Sequence, residues 1–151
     1  MTYTKIITRS LLLTASLLLF NACYQSKRIQ INYDKVITIN DHEKIAFTYD
    51  STSNLYIRPV IIFGDRQHEL ISFDGRSNAN YKVSPNKKFV VLDRIVGNEL
   101  GNQQISSVII NIPDNIISRY LSTTVEEGRW NSQNEWLNHS GAIVFKGNFH
   151  E

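Results

Sequence analysis

Beyond residue 28 the sequence predicts an all-β fold of antiparallel meanders, two to three small sheets packed together and not closed into a ring. Three observations predict it. Apolar residues recur with period two in short runs rich in Ile, Val, Phe and Tyr, the alternation of half-buried strands. The runs are separated by residues that favour tight turns. A polar turn followed by an apolar strand also returns three times along the chain.

The first 22 residues have a different order. Lys5 and Arg9 make a positive start, Leu11 to Phe20 is an apolar run broken by Thr14 and Ser16, and small Ala22 precedes Cys23, the sole cysteine. Charge, apolar core and small residue in this order mark a signal peptide. A spanning helix needs about 20 apolar residues, and here Asn21, Gln25, Ser26, Lys27 and Arg28 follow the short run at once.

The segment Leu19-Phe20-Asn21-Ala22-Cys23 resembles the lipobox of bacterial lipoproteins. The resemblance implies that residues 1–22 are removed as a lipoprotein signal peptide. It implies that Cys23 carries the lipid, of the palmitate kind, and becomes the mature N-terminus. Residues 23–28 are then a lipidated polar tether, and 29–151 the β domain. Tyr24 stands where inner-membrane retention would show Asp, which resembles sorting to the outer membrane, on its periplasmic face.

Removal of residues 1–22 takes away Lys5 and Arg9 and no acid, so 16 basic residues fall to 14 against 14 acidic ones, and the formal charge goes from +2 to 0. No basic excess remains to neutralise phosphates, which argues against nucleic acid as a partner. The domain has no cysteine for a disulfide, so core burial must stabilise it, and roughly 125 residues suffice for that.

Ile29, Ile31 and Tyr33 alternate with Gln30 and Asn32. Further predicted strands are Lys44 to Tyr49, Leu55 to Phe63, His68 to Phe73, Phe89 to Val96, Ser107 to Ile112 and Ala142 to Phe145. Asp74-Gly75, Ser140-Gly141 and Pro113-Asp114-Asn115 supply turn residues. Gly97 to Gln104, with two glycines, is expected to be an exposed loop. Between Asp114 and Leu121, Ile116, Ile117 and Tyr120 could share a helical face, but β-branched pairs favour a strand.

Asn40 to Phe47 aligns with Ser84 to Val91 at an offset of 44, and Asn138 to Phe145 aligns at a further 54. Such repeats set an architecture. Val83-Ser84-Pro85-Asn86-Lys87-Lys88-Phe89 and Trp136-Leu137-Asn138-His139-Ser140-Gly141 resemble the blade motif of periplasmic TolB-like and WD40-like β-propellers. There a Trp and then Ser-Pro-Asp-Gly-Lys open a strand that two more follow. A propeller needs at least four blades of about 40 residues, so the resemblance implies two or three blade-like units without closure. By the same analogy Trp136 packs between neighbouring sheets, and Val91 and Phe145, which share a repeat position, should both be buried.

No catalytic constellation is legible. The histidines, His42, His68, His139 and His150, lack metal-ligand spacing; His68-Glu69-Leu70-Ile71-Ser72 lacks the second histidine of a zinc-protease helix. No Gly-x-Ser-x-Gly elbow, phosphate loop or calcium loop is present. No cofactor or metal is expected. Glu126-Glu127 and the pair Asp65 and Glu69 could do acid–base work only if their environments split their pKa values.

The polar stretch Glu126-Glu127-Gly128-Arg129-Trp130 joins two strand units and places an aromatic beside an arginine. Trp and Arg are enriched among interface hot spots, so these residues are the expected partner-binding patch, and truncating Trp130 is expected to weaken binding while leaving the domain folded. The expectation is a non-enzymatic lipoprotein, held to an envelope membrane by its lipid, that binds a protein in the periplasm. Immunity against a periplasm-acting toxin is its sharpest form; scaffolding of an envelope complex and small-molecule binding are the alternatives.

Overall fold

Phe89, Val90, Val91 and Leu92 are consecutive, apolar and all buried, so their strand must be covered on both faces. A three-layer stack supplies the cover. The computed structural model describes residues 32–70, 72–97 and 102–147. Within them eleven strands form three antiparallel sheets and no helix; accordingly no described helix is long and apolar enough to cross a membrane. Residues from Tyr33 onward belong to one unit. Signal peptide, Cys23, tether and the alternation at Ile29 and Ile31 lie outside the described residues.

The first sheet is β1 (Lys35–Thr38), β2 (Glu43–Asp50), β3 (Leu55–Phe63) and β4 (Arg66–Glu69), each beside the next. The middle sheet repeats this with β5 (Tyr81–Val83), β6 (Phe89–Gly97), β7 (Gln103–Asn111) and β8 (Ile116–Leu121). The last has β9 (Gly128–Trp130), β10 (Glu135–Asn138) and β11 (Ile143–Lys146), with β10 central. Three open antiparallel meanders fall within the two to three that the sequence predicts, and the 116–121 segment is a strand.

The repeat is visible in the turns. Its aligned first residues close the three hairpins with their own side chains. Asn40 Oδ1 accepts from the His42 and Glu43 amides, both at 2.9 Å. Ser84 Oγ accepts from the Phe89 amide at 3.0 Å, and Asn138 Oδ1 from the Ala142 amide at 2.9 Å. Polar side chains of this kind substitute for a missing backbone partner. Lys87 and Gly141, three residues into their turns, both take the left-handed conformation.

Cross-strand rows build the core. Ile37, Ile45 and Ile61 are register partners and face Val90, Leu92, Val108 and Ile110 of the middle sheet. On the opposite face of that sheet, Phe89, Val91 and Ile109 meet Trp136 and Phe145 of the last. Each such side chain contributes about 1.5–3 kcal/mol on burial. Val91 and Phe145 are both buried, as the repeat requires.

The third unit is turned relative to the other two. Phe47 points to the middle sheet and its counterpart Val91 points on to the last. Phe145, at the same repeat position, points back to the middle sheet. An irregularity at Trp136/Leu137 pairs Phe145 with Trp136 but Ile143 with Leu137. Such a bulge shifts the alternation by one. Ile143 is thereby turned outward and 48% exposed, where its counterparts Ile45 and Phe89 are buried.

Two boundaries lie four residues from the sequence reading. The strand expected over His68 to Phe73 is β4, which ends at Glu69: the Leu70 amide returns to the Pro59 carbonyl at 3.1 Å and the Phe73 amide to the Leu70 carbonyl at 3.0 Å, so the chain turns and tucks Leu70 and Phe73 into the core. The loop expected through Gln104 is already strand at Gln103, because Gln103 and Gln104 pair with Gly97 and Val96.

Candidate functional site

The stretch from Glu126 to Trp130 is built by β9 and the turn before it. Val125 is buried and its amide donates to Asp93 Oδ1 at 2.8 Å. Glu127 closes the turn: its Oε2 accepts from the Thr124 amide at 2.7 Å and the Thr124 hydroxyl at 3.3 Å. The carboxylate of Glu127 is thus engaged in shaping the loop, and Glu126 beside it is exposed.

Gly128 is required by a close approach. A Cβ there would stand 2.4 Å from the Trp136 ring, so only glycine lets the indole lie against the β9 backbone. Lys82 of β5 clamps this strand twice. Its ammonium donates to the Gly128 carbonyl at 2.8 Å, and its carbonyl accepts from Trp130 Nε1 at 3.1 Å.

Arg129 and Trp130 are neighbours in a strand, so their side chains leave opposite faces. Register makes this definite. Trp130, Trp136 and Phe145 form one row across β9, β10 and β11, turned to the core. The Trp130 ring stands edge-on to Trp136, with centroids 5.3 Å apart, and 6.3 Å from Phe89. Arg129, Leu137 and Ile143 form the adjacent row, on the face turned away from the middle sheet. The expectation that Trp130 could be truncated without touching the core is therefore corrected: the ring is half-buried in the aromatic cluster, and Arg129 stands apart from it on the outer face.

Glu126, Glu127, Gly128, Arg129, Lys82 and His139 surround a depression of about 390 Å³. His139, in the β10–β11 turn, is exposed. His42 is exposed, the His68 ring lies edge-on to Phe63, and His150 is outside the described residues. No group of three or more His, Cys, Asp and Glu among the described residues is placed to hold a metal. Asp65 lies in the β3–β4 turn and Glu69 at the end of β4, and both are exposed.

Two features escaped the sequence reading. Asp93 is buried in the middle of β6, where its carboxylate ties down both Val125 and the Asn78 side chain, the latter at 3.3 Å. Its signal was present: an acid inside the apolar run Phe89 to Val96. Ile143 joins Leu137 in the outer row only because of the β11 bulge, which leaves no mark in the sequence.

Fold and surface together define an open three-layer antiparallel β protein with a mixed apolar and charged outer row. Comparison with known proteins finds no matching family model, no matching characterised protein and no matching solved structure.

Proposed function

We propose that the chain is an envelope lipoprotein, anchored by acyl groups on Cys23 at the periplasmic face of the outer membrane, whose β domain binds a protein partner. In its sharpest form it is an immunity protein that neutralises a toxin acting in the periplasm. The supporting observation is the outer row of the last sheet. Ile143 is half-exposed and lies in register with Leu137 and Arg129, with Glu126 and Glu127 on the adjoining turn. An aliphatic strip beside an arginine and rimmed by charge has the make-up of an interface centre and its rim.

The test uses the soluble form, residues 24–151, as bait in envelope extract, with bound proteins identified by mass spectrometry. Arg129→Ala and Ile143→Asp should each lose the captured partner while retaining the far-ultraviolet circular dichroism of the unaltered domain. In the immunity form, cells carrying Arg129→Ala become sensitive to the toxin at normal protein level. Capture that survives both substitutions would refute this surface. Anchoring is tested separately: Cys23→Ser should abolish incorporation of radiolabelled palmitate, and equal labelling of both forms would refute it.

A further inference from the structure

We infer that the cleft between the first and middle sheets is a binding site for a small amphipathic carboxylate, an apolar chain whose acid group is held by Arg58. This site lies outside the outer row of the last sheet and stands or falls independently of the partner reading.

The cleft is an open depression of about 480 Å³, within the size range of small-molecule sites. Its floor is apolar: Leu70 and Ile95 are buried and Phe73 half-buried. Its polar groups are few, Arg58 and Arg76 with Glu69 at the wall. A cleft with an apolar floor and a few charged groups at its wall can orient a ligand with one polar end. Arginine offers a planar fork that matches a carboxylate.

Arg58 is set there at a cost. Between the register pairs Ala46↔Val60 and Thr48↔Ile57 the ladder shifts, leaving Arg58 and Pro59 as a bulge opposite Phe47. Bulges re-aim side chains. Arg58 has φ of 51° and precedes a proline, a combination that sterics disfavour for a residue with a Cβ, since the position before proline prefers extended backbone. Backbone strain of this kind collects at ligand sites. The Arg58 side chain is exposed and has no ion pair among the described residues.

Arg76 is fixed on the other side by its backbone. It exchanges hydrogen bonds with Ile95 at 3.0 and 2.7 Å, and its Nε lies 3.6 Å from Asp50. Gly75 beside it keeps the wall thin: its φ is +102° and a Cβ would stand 2.7 Å from the Ile95 carbonyl oxygen. With Asp50 engaging Arg76, Arg58 is the guanidinium open to a ligand, and Arg76 reinforces the positive end.

The experiment is equilibrium dialysis of radiolabelled hexanoate against the purified full chain, with detergent matched on both sides, and hexan-1-ol as the uncharged probe. Saturable hexanoate binding is expected, with hexan-1-ol about tenfold weaker or more, the loss expected for a charge-assisted contact. Arg58→Gln should lower hexanoate affinity by a similar factor, Arg58→Lys by less, and Arg129→Gln not at all. Arg76→Gln should give a smaller loss and provides a second reading if the bulge tolerates no change at Arg58. Equal binding of the two probes, or hexanoate binding unaltered by both Arg58→Gln and Arg76→Gln, would overturn the assignment.

Discussion

The middle sheet turns branched aliphatic side chains toward the first sheet and meets a cluster of aromatic rings on the side of the last. The two interfaces solve one problem with different tolerances. On the first side the rows are mainly Ile and Val, with Phe47 the one wholly buried ring on that side among the described residues, and no described glycine is pressed against them. The rings of Trp130, Trp136, Phe89 and Phe145 are larger and planar, and they fit only where backbone gives way. Gly128 does so under Trp136, and Gly147 beside Phe89, where a Cβ would stand 2.9 Å from the ring. Aromatic packing gains edge-to-face contacts but depends on fewer, more exacting positions.

The comparison breaks most readily at Trp136, which is wholly buried. Trp136→Ala should cost about 3–5 kcal/mol, read as a shift of the urea midpoint. Ile110→Val on the aliphatic side should cost about 0.5–1.5 kcal/mol. Equal costs would mean that the aromatic interface is no more demanding than the aliphatic one. Gly128→Ala sharpens the same point, since the added methyl drives into the indole; a loss of about 1–3 kcal/mol is expected. Gly97→Ala, with nothing within 4 Å of the new methyl, should leave the midpoint almost unmoved.

Ser84→Ala removes the side chain that accepts from the buried Phe89 amide, and Phe89 belongs to the aromatic side. About 0.5–1.5 kcal/mol should be lost, with faster hydrogen exchange of that amide as the local readout. The smallest effect is expected at Asp50, on the aliphatic side. The Ser53 hydroxyl and the Thr52 amide donate to it, and Arg76 stands near, so its carboxyl lies below the ordinary value of 3.8. A depressed carboxyl contributes stability above the unfolded value and loses it as pH falls through the folded one. The contribution should therefore fade only below about pH 4. The decline between pH 5 and 3 should be slightly shallower in Asp50→Asn, and an identical slope would remove Asp50 from the account.

Fold class was legible because β2, β3, β6, β7, β8 and β11 carry short runs of Ile, Val and Phe bounded by turn residues, alternating in β2 and continuous over Phe89 to Leu92 in β6. The strands not seen, β1, β5, β9 and β10, are three or four residues long, too short for alternation to register. That blindness reached the candidate site. Glu126 to Trp130 read as one loop, and only the knowledge that 128–130 is a strand separates Arg129 from Trp130. The cleft was hidden for another reason. Its walls come from segments around residues 58, 70, 76 and 95, and nothing local in any of them announces the others.

The turned third unit bears on how the molecule avoids growing. Front-to-back contact, as between the first and middle sheets, is directional, and a directional contact repeated between copies gives filaments. Front-to-front contact at the last sheet uses up the complementary face and ends the series. The opposite end is blunted by composition. On the outer side of the first sheet, Ala46 and Thr48 stand where the middle sheet has Val90 and Leu92, with Lys44 alongside and Val36 the exposed apolar neighbour of Ala46, so this face offers a second copy less apolar relief than the middle sheet does. A stack finished at both ends has no growing tip.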